Sequence, residues 1–357
     1  MEREEWLALA PYGLDRGQKR ALYRSWMARL TAHHRQCCPE YRRLLDALGC
    51  PEDALLEPEE LPMLPVSLFK QRRLCSVPAG EGFKTLTSSG TTGQQVSRIC
   101  LDARTSADQQ AVLYRIMADR IGRQRLPLLV LDSKKVLRDR AMFSARGAGI
   151  LGFSIFGSRC CYALDDEMRL DLAAVREFAQ KYAGRPMLLY GFTYIVWKQV
   201  LQALAQRGER LSIREGVLIH GGGWKKLENQ AVGPAEFKAQ AARWLGVRQV
   251  YDYYGMAEQT GCIYLECPCG HLHASVWSDV LLRRPADYGL CAPGEPGLIQ
   301  VLSLLPWSYP GHSLLTEDMG VLLGEDDCPC GRKGKYFAVT GRVPQAEVRG
   351  CSDTYEG

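Results

Sequence analysis

Short apolar strands alternate with helices between residues 103 and 251, and this alternation limits the possible folds of the chain more than any other feature. Helices are predicted at 103–121, 171–182, 193–206 and 234–245, and strands at 126–132, 187–190, 216–219 and 247–251. Strands joined through helices form right-handed crossover units and a largely parallel sheet. Ligands bind such sheets at the carboxyl ends of the strands, so the residues that follow each strand are candidate site residues.

The flanking regions have different patterns. Residues 16–48 predict a basic helix or helical pair, and beyond residue 262 the pattern becomes rich in strands and turns. We therefore divide the 357 residues into a helical region (1–62), an α/β core (63–262), a β-rich region (263–340) and a short tail (341–357). The hydrophobic content of 46% is enough for a large core.

Charge and hydropathy exclude two classes of function. The net charge is only +5, from 45 basic and 40 acidic residues without a long basic tract, so a nucleic-acid-binding role is not indicated. The longest apolar runs are too short to span a membrane. The acidic N-terminus lacks the apolar centre of a signal peptide, which predicts a cytoplasmic protein.

A loop rich in hydroxyl groups lies near residue 90, between two short β-rich stretches. Its glycines let backbone N–H groups approach an anion, and its hydroxyls add neutral donors, which favours a nucleotide triphosphate as ligand. It is not a Walker loop, because no Gly-Lys-Ser/Thr closes it. A solvated turn is the alternative. The loop consists of Thr87, Ser88, Ser89, Gly90, Thr91, Thr92 and Gly93.

Two of the predicted strand ends carry candidate nucleotide-binding residues. The first is a glycine triplet that leaves room for a flat ring to lie on the backbone, although a tight turn would also explain it. In the second, an aromatic ring could stack on a purine and Glu258 could hold Mg²⁺, although Glu258 could equally be a first-turn helix charge. The residues are Gly221, Gly222 and Gly223 in the first, and Asp252, Tyr253, Tyr254, Gly255, Met256 and Glu258 in the second.

Two further polar residues occur in the β-rich region and the tail. Asp318 follows the apolar pair Leu314–Leu315, and its carboxylate could accept both hydroxyls of a ribose. A hairpin turn, in which Asp and Gly are common, is the alternative. Arg342 follows Gly341 and is a weaker indication by itself.

Two Cys-Pro-Cys-Gly segments about 60 residues apart predict a metal centre. Thiolates and imidazoles are the usual ligands of tetrahedral zinc, and the prolines and glycines provide tight turns that let sulfur atoms converge. We expect a closed, structural zinc site. Reduced thiols in turns are the alternative. The preferred ligands are Cys267, His273, Cys328 and Cys330, with Cys269 as the first substitute.

Cys351 lies six residues before the end of the sequence, beside Gly350 and close to Arg349. The glycine permits close approach, and the arginine could favour the thiolate. Taken alone, an inert exposed cysteine in a mobile tail is the simpler interpretation.

Together these motifs resemble the adenylate-forming superfamily, which includes acyl-CoA synthetases and phenylacetate–CoA ligases. The loop at 87–93 resembles its phosphate loop, 221–224 its adenine-proximal turn, and 254–258 its aromatic-Gly-x-Thr-Glu motif. Asp318 matches the ribose-binding aspartate and Arg342 the arginine that follows it. The resemblance implies the α/β fold of the large N-terminal domain of that superfamily, with a smaller β-rich lobe, and implies ATP and Mg²⁺ as cofactors.

The chain is more similar still to acyl-protein synthetases of the LuxE type, over nearly its whole length. The similarity includes the segments 64–70, 85–93, 219–226, 251–258, 327–334 and 347–353. In that family an acyl group passes from acyl-AMP to a cysteine near the C-terminus, and Cys351 matches it by position. The resemblance implies a carboxylic substrate, most simply a fatty acid, and an acyl reductase as partner. Zinc-linked Cys/His clusters resemble a subset of phenylacetate-ligase-like proteins.

The sequence departs from the superfamily at two points. Gln95 and Val96 replace the usual Pro-Lys after the loop, and the sequence stops soon after Arg342, where a mobile lid with a catalytic lysine is usual. We therefore expect a short tail in place of the lid, which suits acyl transfer to a thiol of the same chain. Lys84, Lys225 or Lys226 could supply the missing cation.

Two other functions remain open at the level of sequence. A carboxylate–CoA ligase would make acyl-CoA without Cys351. A non-catalytic subunit would serve as a zinc-stabilised binding platform, although it would need none of Glu258, Asp318 and Arg342.

Overall fold

A computed structural model describes residues 2–52, 55–78, 81, 84–87, 96–137, 145–224 and 231–343. The helices are α1 (Arg3–Leu7), α2 (Arg16–Cys37), α3 (Pro39–Ala47), α4 (Leu68–Gln71), α5 (Ala103–Ile121), α6 (Ala145–Ser154), α7 (Leu172–Lys181), α8 (Thr193–Ile195), α9 (Gln202–Arg207) and α10 (Pro234–Leu245). A π-helical turn, Val196–Leu201, joins α8 to α9. No helix in the described ranges is long and apolar enough to cross a membrane.

The strands are β1 (Leu64–Pro65), β2 (Lys84–Thr87), β3 (Arg98–Leu101), β4 (Leu126–Ser133), β5 (Gly157–Leu164), β6 (Met187–Phe192), β7 (Gly216–Gly221), β8 (Gln249–Tyr254), β9 (Tyr264–Glu266), β10 (Leu272–His273), β11 (Ser278–Arg283), β12 (Pro296–Ser303), β13 (Ser313–Glu325) and β14 (Lys335–Arg342). The chain separates into two compact units. Of the described residues, the first unit contains those within 2–87, 96–119 and 255–343, and the second contains those within 120–254.

The second unit contains the predicted parallel sheet. Its strand order is β8-β7-β6-β4-β5, and every neighbouring pair is parallel. The central strands β6 and β7 are buried along their whole length, as expected for a sheet covered by helices on both faces. The α/β interpretation of the sequence is confirmed.

The sequence pattern missed two elements of this unit, α6 and β5. Helix α6 carries several glycines, which lower helix propensity, but Gly149 has a packing function. A Cβ at Gly149 would lie 2.6 Å from the Tyr190 hydroxyl, so glycine allows the helix to pack closely on β6. Strand β5 forms the edge of the sheet, where Cys160 is exposed.

The first unit contains a mixed, mainly antiparallel sheet and a separate hairpin. Its strand order is β11-β12-β13-β14-β10-β9, with β1 parallel to β13, and β2 pairs with β3. In the described ranges, no α-helix follows residue 262, as the sequence predicted. Helices α2 and α3 form the predicted N-terminal helical pair.

A buried group of three charges joins a helix to this sheet. Asp279 on β11 accepts from Lys19 Nζ on α2 at 3.2 Å and from Lys335 Nζ on β14 at 2.9 Å. All three residues are buried. Burial opposes the charge on Asp279, but the two ammonium groups hold the pKa of its carboxyl below the usual value. Breaking such a buried group by removing one partner costs about 3–5 kcal/mol.

The second unit has its own buried ion pair. Asp132, at the carboxyl end of β4, accepts from Arg146 Nε on α6 at 2.7 Å and also from its terminal NH₂ group. Asp132 is fully buried and Arg146 nearly so. The two-point guanidinium–carboxylate pairing fixes where α6 lies on the sheet.

Two histidines stack in the core of the first unit. The rings of His34 and His312 lie 5.1 Å apart, nearly parallel. His34 contacts Ser76 Oγ at 2.8 Å and the Pro306 carbonyl at 3.0 Å, and His312 Nε2 lies 3.1 Å from Thr31 Oγ1. Burial lowers the pKa of His312 to about 3, so both rings are neutral in the folded protein.

We expect the free energy of unfolding to decrease as the pH is lowered below about 6.5. At such a pH the histidines of the unfolded chain bind protons, whereas the two buried rings of the folded protein remain neutral. A histidine with a lowered pKa stabilises the fold fully above 6.5 and loses about 1.4 kcal/mol per pH unit below it. Replacing His312 with glutamine should make urea-unfolding free energies, measured from pH 8 to 5, less steep in pH than those of the wild type. Equal slopes in the two proteins would contradict this explanation.

Candidate functional site

The base of the hydroxyl-rich loop is an antiparallel hairpin, as predicted. Thr87 ends β2 and pairs with Arg98 on β3. The other loop residues, 88–93, lie outside the described residues, and so do Lys225, Lys226 and Cys351. The structure therefore positions the two strands that carry the loop, and the phosphate-binding role of the loop stays a prediction.

The glycine turn ends β7 in the second unit. Gly221 is the neighbour of Tyr253 on β8, and a Cβ at Gly221 would lie only 2.5 Å from the Tyr253 ring. The sequence predicted that the glycines leave room for a flat ring on the backbone. At Gly221 that ring is the side chain of Tyr253. Gly222 has a φ of +83°, which favours glycine, and a Cβ at Gly223 would meet no atom within 4 Å.

Tyr253 is held in place by a second tyrosine. Its hydroxyl lies 3.0 Å from the hydroxyl of Tyr190 on β6, and the ring of Phe153 stacks on Tyr190 at 4.0 Å. Tyr253 and its neighbours Asp252 and Tyr254 all belong to β8. A rigid aromatic surface therefore lies beside the glycine turn.

His220 precedes this turn and was not selected by the sequence analysis. Its Nδ1 lies 2.9 Å from Thr193 Oγ1 and 3.6 Å from Asp252 Oδ1. Burial lowers the pKa of His220 to about 3, so the ring is neutral and offers Nδ1 for only one hydrogen bond at a time. In the sequence, the only indication that His220 belongs to the site was its position at the end of an apolar strand.

Glu258 lies in the first unit on a 3₁₀ turn, Ala257–Gln259, and not on an α-helix. Gly255 and Met256 lead into the turn. The Glu258 side chain is 6% exposed. Two residues that sequence reasoning missed, Gln259 and Tyr309, bind this turn to the rest of the unit.

Asp318 and Arg342 face each other across two strands of the first unit. They are paired in the register of β13 and β14, and Arg342 Nε lies 3.1 Å from Asp318 Oδ1. The other arm of the guanidinium, NH2, lies 3.0 Å from Glu317 Oε2. The alternative of a hairpin turn at Asp318 was wrong, because Asp318 lies inside β13, a strand of thirteen residues. The two residues that the resemblance singled out are direct partners.

The preferred metal ligands converge in the first unit. The candidate ligand atoms of Cys267, His273, Cys328 and Cys330 all lie within 4.8 Å of one another. Gly270 and Gly331 each donate an N–H to the carbonyl of the cysteine three residues earlier, at 2.9 Å. Both glycines have a φ near +80°, so the two tight turns are closed by residues that tolerate this conformation.

Distances within this Cys/His cluster fit a tetrahedral ion. A Zn–S bond of 2.3 Å places two sulfur ligands about 3.8 Å apart. Cys267 Sγ and Cys328 Sγ are 3.9 Å apart, too far for a disulfide, and Cys330 Sγ lies 3.4 Å from His273 Nε2. Burial lowers the pKa of His273 to about 3, which keeps the ring neutral and able to coordinate a cation. Three thiols and one imidazole thus form a possible metal site.

Two other candidate ligands lie at the rim of the cluster. Cys269 is exposed, and its backbone N–H donates to Cys267 Sγ at 3.3 Å. His271 Nδ1 lies 3.3 Å from Cys328 Sγ, and the His271 ring stacks on Tyr336 at 4.9 Å. These two residues therefore contact ligands of the cluster while Cys267, His273, Cys328 and Cys330 surround its centre.

Solved structures of similar fold include 2-hydroxyisobutyryl-CoA ligase in an open conformation with 2-HIB-AMP and CoA. The TM-score is 0.70 at 16% identity, covering 93% of this chain and 71% of the other. The same ligase in its postadenylation state gives a TM-score of 0.69 at 16% identity, covering 92% and 69%. The chain therefore has the fold of these adenylate-forming ligases.

Sequence comparisons lead to one family. A long-chain-fatty-acid–luciferin-component ligase of Vibrio harveyi is 21% identical over 323 residues, covering 88% of this chain and 82% of that protein. A ligase of the same name from Aliivibrio fischeri is 22% identical over 304 residues, covering 82% and 77%. The family model for acyl-protein synthetase, LuxE, matches residues 5–356. The chain is thus a ligase and belongs to the LuxE family of acyl-protein synthetases.

Proposed function

We propose that this ligase activates a fatty acid with ATP and transfers the acyl group to its own Cys351. The carboxylate attacks the α-phosphorus and pyrophosphate leaves, giving acyl-AMP. The Cys351 thiolate then attacks the acyl carbon, AMP leaves, and a thioester forms. An acyl reductase is the partner that would receive the acyl group.

The observation that carries the proposal is the Asp318–Arg342 pair. Both residues match nucleotide-site positions of the superfamily, and they are 3.1 Å apart in the register of two paired strands. The guanidinium places a positive charge directly beside the Asp318 carboxylate, which is the group that we propose accepts two ribose hydroxyls. Glu258 would share the Mg²⁺ ion with the phosphates, and hydroxyls and N–H groups of residues 88–92 would neutralise them. Tyr253, Tyr254 and the turn 221–223 would hold the adenine.

The assignment of Cys351 predicts a covalent intermediate. After incubation with ATP, Mg²⁺ and a panel of carboxylic acids, the intact mass of the wild type should rise by one acyl group that hydroxylamine removes. Cys351→Ser should still form acyl-AMP and pyrophosphate but should carry no label, because a serine hydroxyl is a far weaker nucleophile than a thiolate. Peptide mapping locates the adduct, and Cys291→Ser is the control, since Cys291 is a half-buried thiol remote from the tail in sequence.

Two outcomes would favour the other functions. Acyl-CoA formation that survives Cys351→Ser would identify a carboxylate–CoA ligase. Absence of carboxylate-dependent pyrophosphate release over the whole acid panel would identify a non-catalytic subunit.

The proposed role of Glu258 predicts a loss of adenylation. Glu258→Gln should lower acid-dependent pyrophosphate release by about 100-fold, because a neutral amide is a poor Mg²⁺ ligand. Glu266→Gln is the matched control, as Glu266 is a carboxylate of the same unit with nearly the same burial. The role is wrong if the two variants release pyrophosphate at similar rates.

We also propose that the Cys/His cluster binds one zinc ion. Four protein ligands leave no open coordination position, so the ion would stabilise the fold and take no part in the reaction. The support is the sulfur–sulfur distance of 3.9 Å and the buried, neutral His273.

Elemental analysis should therefore find one zinc per chain in the wild type. Cys328→Ser should lose the metal and lower the melting temperature, because its sulfur is a buried ligand. Cys269→Ser should keep the metal, since Cys269 is exposed at the rim. A metal-free wild type purified from zinc-containing medium, or full zinc content in Cys328→Ser, would contradict the site.

A further inference from the structure

The turn that carries Glu258 is too short to fix its own position. It contains three residues, and its internal bond from Gln259 N–H to the Met256 carbonyl is long, at 3.3 Å. A single 3₁₀ turn of this kind has poor hydrogen-bond geometry. Contacts from elsewhere in the first unit must therefore determine where the Glu258 carboxylate lies.

Tyr309 provides the first of these contacts. Its hydroxyl donates to the backbone carbonyl of Glu258 at 2.9 Å, from a residue 51 positions away in the sequence. The Tyr309 side chain is fully buried and packs edge-on against Phe69, with ring centroids 6.0 Å apart. Burial raises the pKa of this phenol, so the hydroxyl remains a donor at any physiological pH. The ring is rigid, and so is the bond that it makes.

Gln259 provides the second contact. Its side-chain NH₂ group donates to the Gly311 carbonyl at 2.8 Å and to the Val301 carbonyl at 3.2 Å. Two carbonyl acceptors can be satisfied only by the NH₂ end of the amide, so the orientation of this side chain is fixed. Gln259 is 3% exposed, so water does not compete for these bonds.

Gly311 allows both contacts to exist. It follows Tyr309 in a tight turn in which Gly311 N–H donates to the Tyr309 carbonyl at 2.8 Å. A Cβ at Gly311 would lie 2.3 Å from the Tyr309 ring and 3.1 Å from the Glu258 carbonyl oxygen. Only glycine lets the two segments approach this closely.

We infer that Tyr309 and Gln259 are positioning residues that hold the Glu258 carboxylate where it binds the Mg²⁺ of ATP. The inference rests on the proposed function, because it takes Glu258 as the ligand of that ion. The bonds that these two residues make go to backbone carbonyls of the protein. They act by fixing the backbone at the Glu258 carbonyl and at the residue that follows it.

Tyr309→Phe tests this role, because it removes one hydroxyl and keeps the buried ring. We expect the Mg²⁺ concentration for half-maximal pyrophosphate release to rise about fivefold, as for the loss of one buried hydrogen bond, with the KM for the acid unchanged. Gln259→Met removes both amide donors and keeps the size of the side chain. This variant should also raise the Mg²⁺ concentration for half-maximal pyrophosphate release.

Tyr264→Phe is the matched control. Tyr264 is buried in the same unit, and its hydroxyl donates to the Asp279 carbonyl at the same distance, 2.9 Å. It should lower the melting temperature about as much as Tyr309→Phe and leave the Mg²⁺ requirement unchanged. Equal Mg²⁺ requirements in wild type, Tyr309→Phe and Gln259→Met would overturn the inference, as would an equal rise in Tyr264→Phe.

A binding measurement separates this inference from the proposed function. The affinity for Mn²⁺·ATP, measured by electron paramagnetic resonance without any acid, should be lower in Tyr309→Phe than in wild type and in Tyr264→Phe. A wild type that does not bind Mn²⁺·ATP would overturn the proposed function, and the inference with it. A wild type that binds it with the same affinity as Tyr309→Phe would overturn the inference alone.

Discussion

The first unit depends on one buried carboxylate, Asp279, held between the ammonium groups of Lys19 and Lys335. Three charged side chains in a core are costly unless their geometry is well satisfied, and here each oxygen of the carboxylate has its own ammonium partner. The group therefore links helix α2 to strands β11 and β14. Tyr264 strengthens that arrangement by donating to the Asp279 backbone carbonyl.

Strand β14 connects this group of charges to the Cys/His cluster and to Asp318. It begins at Lys335, continues with Tyr336, whose ring stacks on His271 and His273, and ends at Arg342 beside Asp318. Seven steps along an antiparallel strand cover about 24 Å. The Cys/His cluster is thus at the far end of the strand from the carboxylate that we assign to ribose. This separation agrees with a structural role for the proposed zinc ion.

Two kinds of sequence information predicted parts of this protein. The alternation of strands and helices predicted the parallel sheet. The donor types of the Cys/His cluster were evident from the residues themselves, because thiols, imidazoles and tight turns are recognisable in a local sequence. The four ligands that the sequence favoured are the ones that converge, and the pairing of β10 with β14 places His273 beside Tyr336. Helix α6 was missed because its glycines lower helix propensity, and the packing of one of them, Gly149, against Tyr190 is not visible in a helical pattern.

Tertiary contacts that a local sequence does not reveal also explain why Asp318 was open to two interpretations and why Tyr309 was not considered. A lone Asp before Met-Gly is compatible with a turn, and only the pairing of β13 with β14 places it opposite Arg342. Tyr309 acts over 51 positions, through a backbone carbonyl that every residue possesses. Local sequence therefore points to groups for which we propose a chemical role, such as Glu258, while the groups that orient them are defined by tertiary contacts. A catalytic role assigned from a motif is complete only when the bonds that position the motif are known.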